Sequence, residues 1–327
     1  MPSPTAALSS LRPDITGMFE EFGLEADRAG FIGPRVLPFF DVPTQAGNSG
    51  RIPIESLLGT TDVKRNDRSA YNRVTWKFTP DTYSCEEYGL ESVVDQRTRA
   101  KYANYFDAEV VTAAIVRDRV LREAEKRVAA AVFNATTFTS YATQITLEWD
   151  SNATSTAIPI NDVKTACDTI YARTGVWANA LIINRAVFNN LRLLDQIMDA
   201  ITASGAGSPA KQSDITAQMM AQVFGLDEVI VAGGSSNTSA EGQTAAISQI
   251  WSSEYAMVTR VCKTNNYTET GLGRTFHWSE DGSTPAGTVE SYEEPSVRGG
   301  VIRVRHDVDE VIIYPEVGQL LYNVTTI

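Results

Sequence analysis

Histidine is almost absent from this 327-residue chain: His277 and His306 are the only two. That leaves too few imidazoles for a histidine-based metal centre. Cysteine is sparse as well. Cys85, Cys167 and Cys262 lie far apart and form no CxxC pair, which argues against a disulfide framework and reads as reduced thiols in a cytosol. No stretch approaches the roughly 18 apolar residues of a membrane span. The start, Met1-Pro2-Ser3-Pro4-Thr5, lacks the basic region and apolar run of a secretory signal. Basic charge is in deficit, with 28 Lys and Arg against 40 Asp and Glu, a net charge of -12. Such a balance argues against a sequence-reading nucleic-acid binder, which needs clustered Lys and Arg for phosphate contacts.

Catalytic signatures are missing too. There is no G-x-S-x-G elbow and no H-E-x-x-H. The Gly-rich stretch Ala232 to Gly242 follows an apolar run, but it has neither GxGxxG spacing nor GK[ST] and reads as a surface loop. Cys167 falls on the apolar face of its helix and reads as core. His306, beside Asp307 and Asp309, reads as a surface residue on a strand. Glu293-Glu294 and Asp307/Asp309/Glu310 are acidic enough for a hard cation, yet the D-x-D-x-D-G-x5-E calcium loop is absent. Neither an enzyme nor a cofactor or metal site is expected.

What is present is ordinary globular material, 43% hydrophobic and 21% charged, in a length that fits two domains or one body with an appendage. Charge is uneven. Residues 62–127 carry 13 of the 28 basic residues against 12 acidic ones, so the whole negative excess lies elsewhere. Residues 1–35, interrupted by Pro and Gly, read as an extended arm with one short helix near Asp14–Phe22. Residues 48–78 read as a long, mostly polar hairpin, returning through the alternation of Val74-Thr-Trp-Lys-Phe78 and too thin to be stable alone. Within it Lys64, Arg65, Arg68, Arg73 and Lys77 are the candidate inter-subunit contacts, a mixed-charge surface suited to meeting the opposite signs of another copy.

Residues 104–134 carry the strongest helix signal. Phe106, Val110, Ala113, Val116, Val120, Ala124, Val128 and Ala131 follow a 3.6 period. Asp118/Arg122 and Glu123/Arg127 form i,i+4 pairs on the other face. Asn104 with Asp107 can cap its start and Asn134 its end. After residue 140 short α/β units follow. A helix capped at Asn161 or Asp162 ends at Gly175, Ala180–Ile183 is a buried strand, and Arg185–Leu194 is a helix. A loop at 202–212 precedes a helix from Ser213 to Gly225 and a strand at Val229–Ala232. Two strands are expected in 245–262, and later ones at Val301–Arg305 and Val311–Ile313.

In this order the elements resemble the major capsid proteins of tailed bacteriophages, with the Hong Kong 97 fold. The resemblance is carried by the arm, the hairpin, Tyr83-Ser-Cys-Glu-Glu-Tyr-Gly-Leu90 and the long helix from Phe106 to Ala129. It continues through Trp149 with Pro159-Ile-Asn-Asp-Val163, Arg173 to Asn184, Phe224 to Val231, Ile250-Trp251 and Gly273-Arg-Thr-Phe-His-Trp278. It implies an α+β fold with an N-terminal arm at 1–35, the start of a peripheral domain at 36–47 and an extended loop at 48–78. The peripheral domain with its spine helix follows at 79–145, an axial domain at 146–300 and closing C-terminal strands at 301–327. It further implies a non-enzymatic shell protein that forms hexamers and pentamers around double-stranded DNA without reading its sequence. Assembly would take place in the cytoplasm of a bacterial host, with scaffolding, portal and decoration proteins as partners. The propeptide of some members has no room here. Some members cross-link a hairpin Lys to an Asn of another subunit; Lys64 could take that place, but no motif for its partner is present, and the cross-link is not expected here. An encapsulin-type nanocompartment shares the fold and is the first alternative. An α/β nucleotide-binding enzyme using Gly233 and Gly234 is the second.

Overall fold

The computed structural model describes residues 30–75, 77–102, 107–150, 157–203, 214–240 and 242–326. The expected arm helix at Asp14–Phe22 and residues 204–212 of the expected loop at 202–212 lie outside the described residues, while residues 202–203 belong to a helix. Two five-stranded sheets, each backed by helices, organise the rest.

The first sheet is built on β13 (Gly299–Ile312), flanked by β4 (Glu86–Asp95) along one edge. The other edge is shared by β12 (Thr288–Glu294) and β11 (Gly273–Trp278), and β1 (Phe39–Val42) adds in parallel to β11. The two strands expected at 301–305 and 311–313 are therefore one. The polar run Arg303 to Asp307 conceals its continuity, because its side chains alternate between the helix-covered face and an ion-paired one. Strands β11 and β12, placed by sequence with residues 146–300, belong to this sheet.

Across the sheet lies the spine helix, Ala108–Val132, about 37 Å long at 1.5 Å per residue. Asp107 accepts the Glu109 N–H at 3.0 Å and caps its start. Its apolar stripe packs on the sheet, Ala113 beside Val94 and Ile302, and Val116 and Val120 against Val304. On the polar side the Asp118–Arg122 pair is present at 2.8 Å. The expected Glu123–Arg127 pair is not. Arg127 turns to Glu310 at 3.0 Å, and Glu123 stands 3.5 Å from Lys126. Arg127 points toward the sheet, where a buried carboxylate is a stronger partner than a solvated one. Asn134, instead of closing the helix, accepts the N–H groups of Thr136 and Thr137 in the following turn.

The second sheet runs β5 (Ala142–Gln144), β14 (Gly318–Tyr322), β10 (Tyr255–Thr259), β6 (Ala180–Asn184), β7 (Glu228–Ala232). Alternation along β6 divides its two cores. Leu181 and Ile183 face helices that include Pro159–Thr174, Arg185–Leu193 and Ala217–Phe224. Ala180 and Ile182 face the other way, toward the end of the spine helix at Val128 and Val132. Gly175 (φ 70°) and Gly225 (φ 68°) end two of these helices in the left-handed conformation, as their sequence positions imply. The helix starts differ. Pro159 opens its helix, so Asn161 and Asp162 sit inside it, and Asp162 instead accepts the Trp149 indole N–H at 3.0 Å. Thr216 caps the helix expected from Ser213. A further helix, Asp195–Ala203, has no counterpart among the sequence expectations. The Gly-rich stretch after β7 begins a small hairpin of β8 (Ser235–Asn237) and β9 (Ile247–Gln249).

Candidate assembly surface

The projecting element is anchored at its base and bare beyond it. Strand β2 (Ala46–Arg51) pairs antiparallel with β3 (Thr79–Ser84), Ala46 opposite Ser84 and Arg51 opposite Thr79. Tyr83 is buried with Val42, Cys85 and Phe276, its ring 5.0 Å from that of Phe276, and its hydroxyl meets Thr44 at 2.8 Å. Ser84 N–H donates to Asp309 at 2.9 Å. Arg51 reaches the Ile313 carbonyl at 3.2 Å and Glu316 at 3.3 Å. At Gly50 the Phe78 ring fills the space that a side chain would take. These contacts fix the direction in which the element leaves the body.

A short turn of helix, Ile54–Leu57, follows, and then residues 58–75 form no regular element and are exposed throughout. The returning strand is 79–84, not 74–78. Alternation at Val74–Phe78 satisfies a strand's side-chain pattern, yet among the described residues Val74, Thr75, Lys77 and Phe78 pair with no neighbouring strand. The loop's hydrogen bonds are local. Asp62 accepts the Lys64 N–H at 2.9 Å, Asn72 donates to the Asp62 carbonyl at 2.7 Å, and Arg65 donates to the Ser69 carbonyl at 2.8 Å and lies 4.6 Å from the Tyr71 ring centre. Arg68 takes φ 63°, a left-handed turn at the tip. Lys64, Arg65 and Arg68 therefore gather at the tip, while Arg73 and Lys77 lie on the returning leg. Among the described residues none of the five pairs with a carboxylate.

The segment is rich in charge, yet it has a second property that its polar sequence conceals. Val63 is 93% exposed, Tyr71 73% and Val74 67%, with Leu58 and Phe78 also more than half exposed. Exposed large apolar side chains are thus concentrated in this segment. Carboxylates gather on the first sheet instead. Glu86, Glu87, Glu91 and Asp95 lie along β4, and Glu290, Glu293 and Glu294 along β12. Arg303 lies between Glu91 and Glu290 on the same face.

Two buried polar clusters lie within the body. Glu125 is 3% exposed on the spine helix. Its carboxylate accepts from Ile32 N–H and Gly33 N–H, both at 2.8 Å, and from the Trp251 indole at 2.6 Å. Burial raises its pKa, and the three donors oppose that shift. It ties the chain entering the body, the spine helix and the second sheet's core together. Nothing in a charged residue one step off an apolar stripe reveals this from sequence. Glu125→Ala is expected to destabilise the subunit by about 2–4 kcal/mol, because three buried donors lose their acceptor. Urea denaturation measures it, and Glu125→Gln, which keeps one acceptor, falls between.

The second cluster corrects the reading of His306 as a surface residue: it is 1% exposed. Its Nε2 lies 3.3 Å from Arg127 and its Nδ1 3.4 Å from the Pro285 carbonyl. Burial, with the nearby Arg127 charge, lowers its pKa to about 4. Asp307 beside it is pushed up to about 6 by burial and by Asp281. Arg305 pairs with Asp281 and stands 3.5 Å from Asp307. Asp309 and Glu310 are committed to Ser84 and Arg127, so these three acids do not converge on one point. The two shifts act in opposite senses. His306 stabilises the fold above its unfolded pKa of about 6.5, and that contribution is lost as pH falls toward 4. Asp307 binds its proton more tightly folded than unfolded, so its contribution declines as pH rises from about 3.8 to about 6. Asp307→Asn should therefore stabilise the protein at pH 7 by about 1–3 kcal/mol, with the gain gone near pH 4. Urea midpoints at the two pH values test this.

The sequence matches no known protein family and no curated protein. Solved structures do match over nearly the whole chain. A phage-related protein from Bordetella bronchiseptica RB50 aligns at 17% identity over 90% of this chain and 93% of its own, TM-score 0.64. The capsid of cyanophage P-SCSP1u aligns at 9% identity over 88% and 86%, TM-score 0.59. A virus-like particle from Pyrococcus furiosus aligns at 12% over 91% and 94%, TM-score 0.51. At such identities the likeness establishes the fold, and the fold is the Hong Kong 97 type of phage capsid structures.

Proposed function

We propose that this chain is a major capsid protein that assembles into hexamers and pentamers of an icosahedral shell enclosing double-stranded DNA. The observation that carries the reading is the anchored projection at 52–78, basic and apolar at once, on a body with the capsid fold. A side chain such as Val63 gains nothing from standing 93% in water, whereas burial against another copy would stabilise the contact by the usual hydrophobic term. The partner surface in this reading is the acidic β4–β12 face of a neighbouring copy. The role is structural and not catalytic, and the excess of acid elsewhere in the chain would keep DNA from gripping the wall.

In domain terms the arm takes residues 1–35, the loop 48–78, the peripheral region 79–145 with its sheet completed by β11, β12 and β13, and the axial region the second sheet and its helices. Scaffolding, portal and decoration proteins, and assembly in a bacterial cytoplasm, belong to the same proposal. Likeness to the Pyrococcus furiosus particle favours one further reading, an encapsulin-type shell around protein cargo. Nuclease-protected DNA inside purified particles would support the first reading, and a co-purifying enzyme without DNA the second.

Reversing charge at Lys64, Arg65 and Arg68 to Glu should slow assembly, most visibly at low salt where screening is least. Each exposed pair contributes only about 0–1 kcal/mol, but the contact repeats around the shell. Light scattering at low and high salt reads the difference. Sedimentation tests the reading as a whole: particles far larger than the 35.7 kDa subunit are expected, and a chain that stays monomeric at high concentration with its phage's assembly proteins would refute it.

A further inference from the structure

The loop of residues 279–287 joins β11 to β12, and side chains of the body tie it down. From β13, Arg305 pairs with the Asp281 carboxylate and donates to its carbonyl at 3.4 Å. His277 of β11 meets the Ser283 hydroxyl at 3.1 Å, its other ring nitrogen 2.8 Å from Asp41. His306 of β13 meets the Pro285 carbonyl at 3.4 Å, and Arg117 of the spine helix donates to the Ala286 carbonyl at 3.1 Å. Both histidines of the chain therefore hold one loop, and each is 1% exposed.

Between Arg305 and Asp309 on the same strand, Asp307 is 2% exposed, and its Oδ2 meets no hydrogen-bond donor among the described residues. The Arg305 guanidinium, 3.5 Å away, is engaged by Asp281 and Glu290. Asp281 lies within hydrogen-bond reach of Asp307, and Glu87 of β4 stands opposite it in the sheet. Asp307 thus faces two other carboxylates and a guanidinium already shared. A proton satisfies a buried carboxylate so placed, because it turns an acceptor into a donor toward Asp281. His306 has the complementary requirement. Its Nδ1 faces a carbonyl and carries the hydrogen, and its Nε2 faces Arg127 and needs its lone pair. Tyr88 of β4 turns its ring to the imidazole, and the acids nearby are committed elsewhere, Glu125 to its three N–H donors and Glu310 to Arg127.

We propose that this loop is a proton-gated latch, held closed when Asp307 carries a proton shared with Asp281 and His306 is neutral, and loosened when either condition fails. Deprotonated, Asp307 repels Asp281, and the loop loses its carboxyl link to β13. Doubly protonated, His306 sets an N–H against the Arg127 guanidinium and is pushed off it, which strains the contact with Pro285. Asp307 releases its proton at about pH 6 and His306 takes up its second at about pH 4, so the loop is held most firmly between the two. This inference does not depend on shell formation and is tested on the unassembled subunit.

Hydrogen–deuterium exchange of the full chain, read by mass spectrometry and corrected for the intrinsic chemical rate, tests it. Amides of the loop should be several-fold better protected at about pH 5 than at about pH 7.5, and less protected again below about pH 4, while peptides from the buried strand β6 change little. Asp307→Asn, whose side-chain amide donates to Asp281 at any pH, should be as protected at the higher pH as the native protein is at the lower, and should keep the acid-side loss. Asp281→Asn, which removes the loop's half of the shared site, should likewise lose the change on the neutral side, and circular dichroism checks both folds. Equal loop protection at the two pH values in the native chain would overturn the inference, and so would an undiminished change in both variants. Protection restored at neutral pH by calcium would assign the acidic cluster to a cation and overturn it as well.

Discussion

Val120→Asp is expected to unfold the subunit. Val120 is 3% exposed, in the middle of the spine helix, with Val116 beside it and Val304 of β13 across from it. These three side chains form a buried apolar cluster, so an introduced carboxylate would be set among hydrocarbon groups. Burying such a group costs several kcal/mol unless it takes up a proton, against a total stability of about 5–15 kcal/mol for a typical domain. The damage would spread, because the same helix carries Glu125 and Arg127 to their buried partners. Val120→Ala, which removes the packing but adds no charge, should cost only about 2 kcal/mol and leave a folded protein. Circular dichroism and urea denaturation of the two variants separate the effects. A Val120→Asp subunit that is soluble and fully helical would show that this face of the helix is not buried.

The largest effect on assembly without loss of the fold is expected from shortening the projection. Replacing residues 58–74 with a short Gly-Ser turn removes the exposed loop and keeps the stem β2–β3 with its Arg51, Tyr83 and Ser84 anchors. No side chain of 58–74 belongs to a buried cluster, so the subunit should keep its urea midpoint and its circular dichroism. Shell formation should be abolished, because the removed stretch holds Val63, Tyr71 and Val74 together with Lys64, Arg65, Arg68 and Arg73. Normal particles from the shortened chain would refute the role assigned to the loop. Loss of the folded subunit would place the segment in the core.

Which features the sequence discloses follows from where their information resides. The spine helix is legible because its burial is one-sided, and a one-sided pattern repeats at 3.6 residues from Val110 to Val128. Strands β6 and β7 are legible because their centres, Ala180–Ile183 and Val229–Ala232, are short, apolar and largely buried. The ends at Gly175 and Gly225 are legible because a left-handed residue is a local requirement. The buried polar clusters were not legible in the same way. Glu125 becomes a structural residue only when Ile32, Gly33 and Trp251, distant in sequence, are brought around it. His306 looks like a surface residue on a polar strand until Arg127 and Pro285 close over it. Of the projection, Lys64, Arg65 and Arg68 could be singled out from charge density. That Val63 and Tyr71 would be left bare beside them depends on the loop's having no strand partner.

Cryo-electron microscopy of the purified, assembled protein tests the central claim most directly. The account predicts closed icosahedral shells whose maps show rings of six and five subunits, with the loop of residues 58–75 lying on the β4–β12 face of an adjacent subunit. A map in which the protein forms no closed shell, or in which that loop touches only its own subunit, would contradict it.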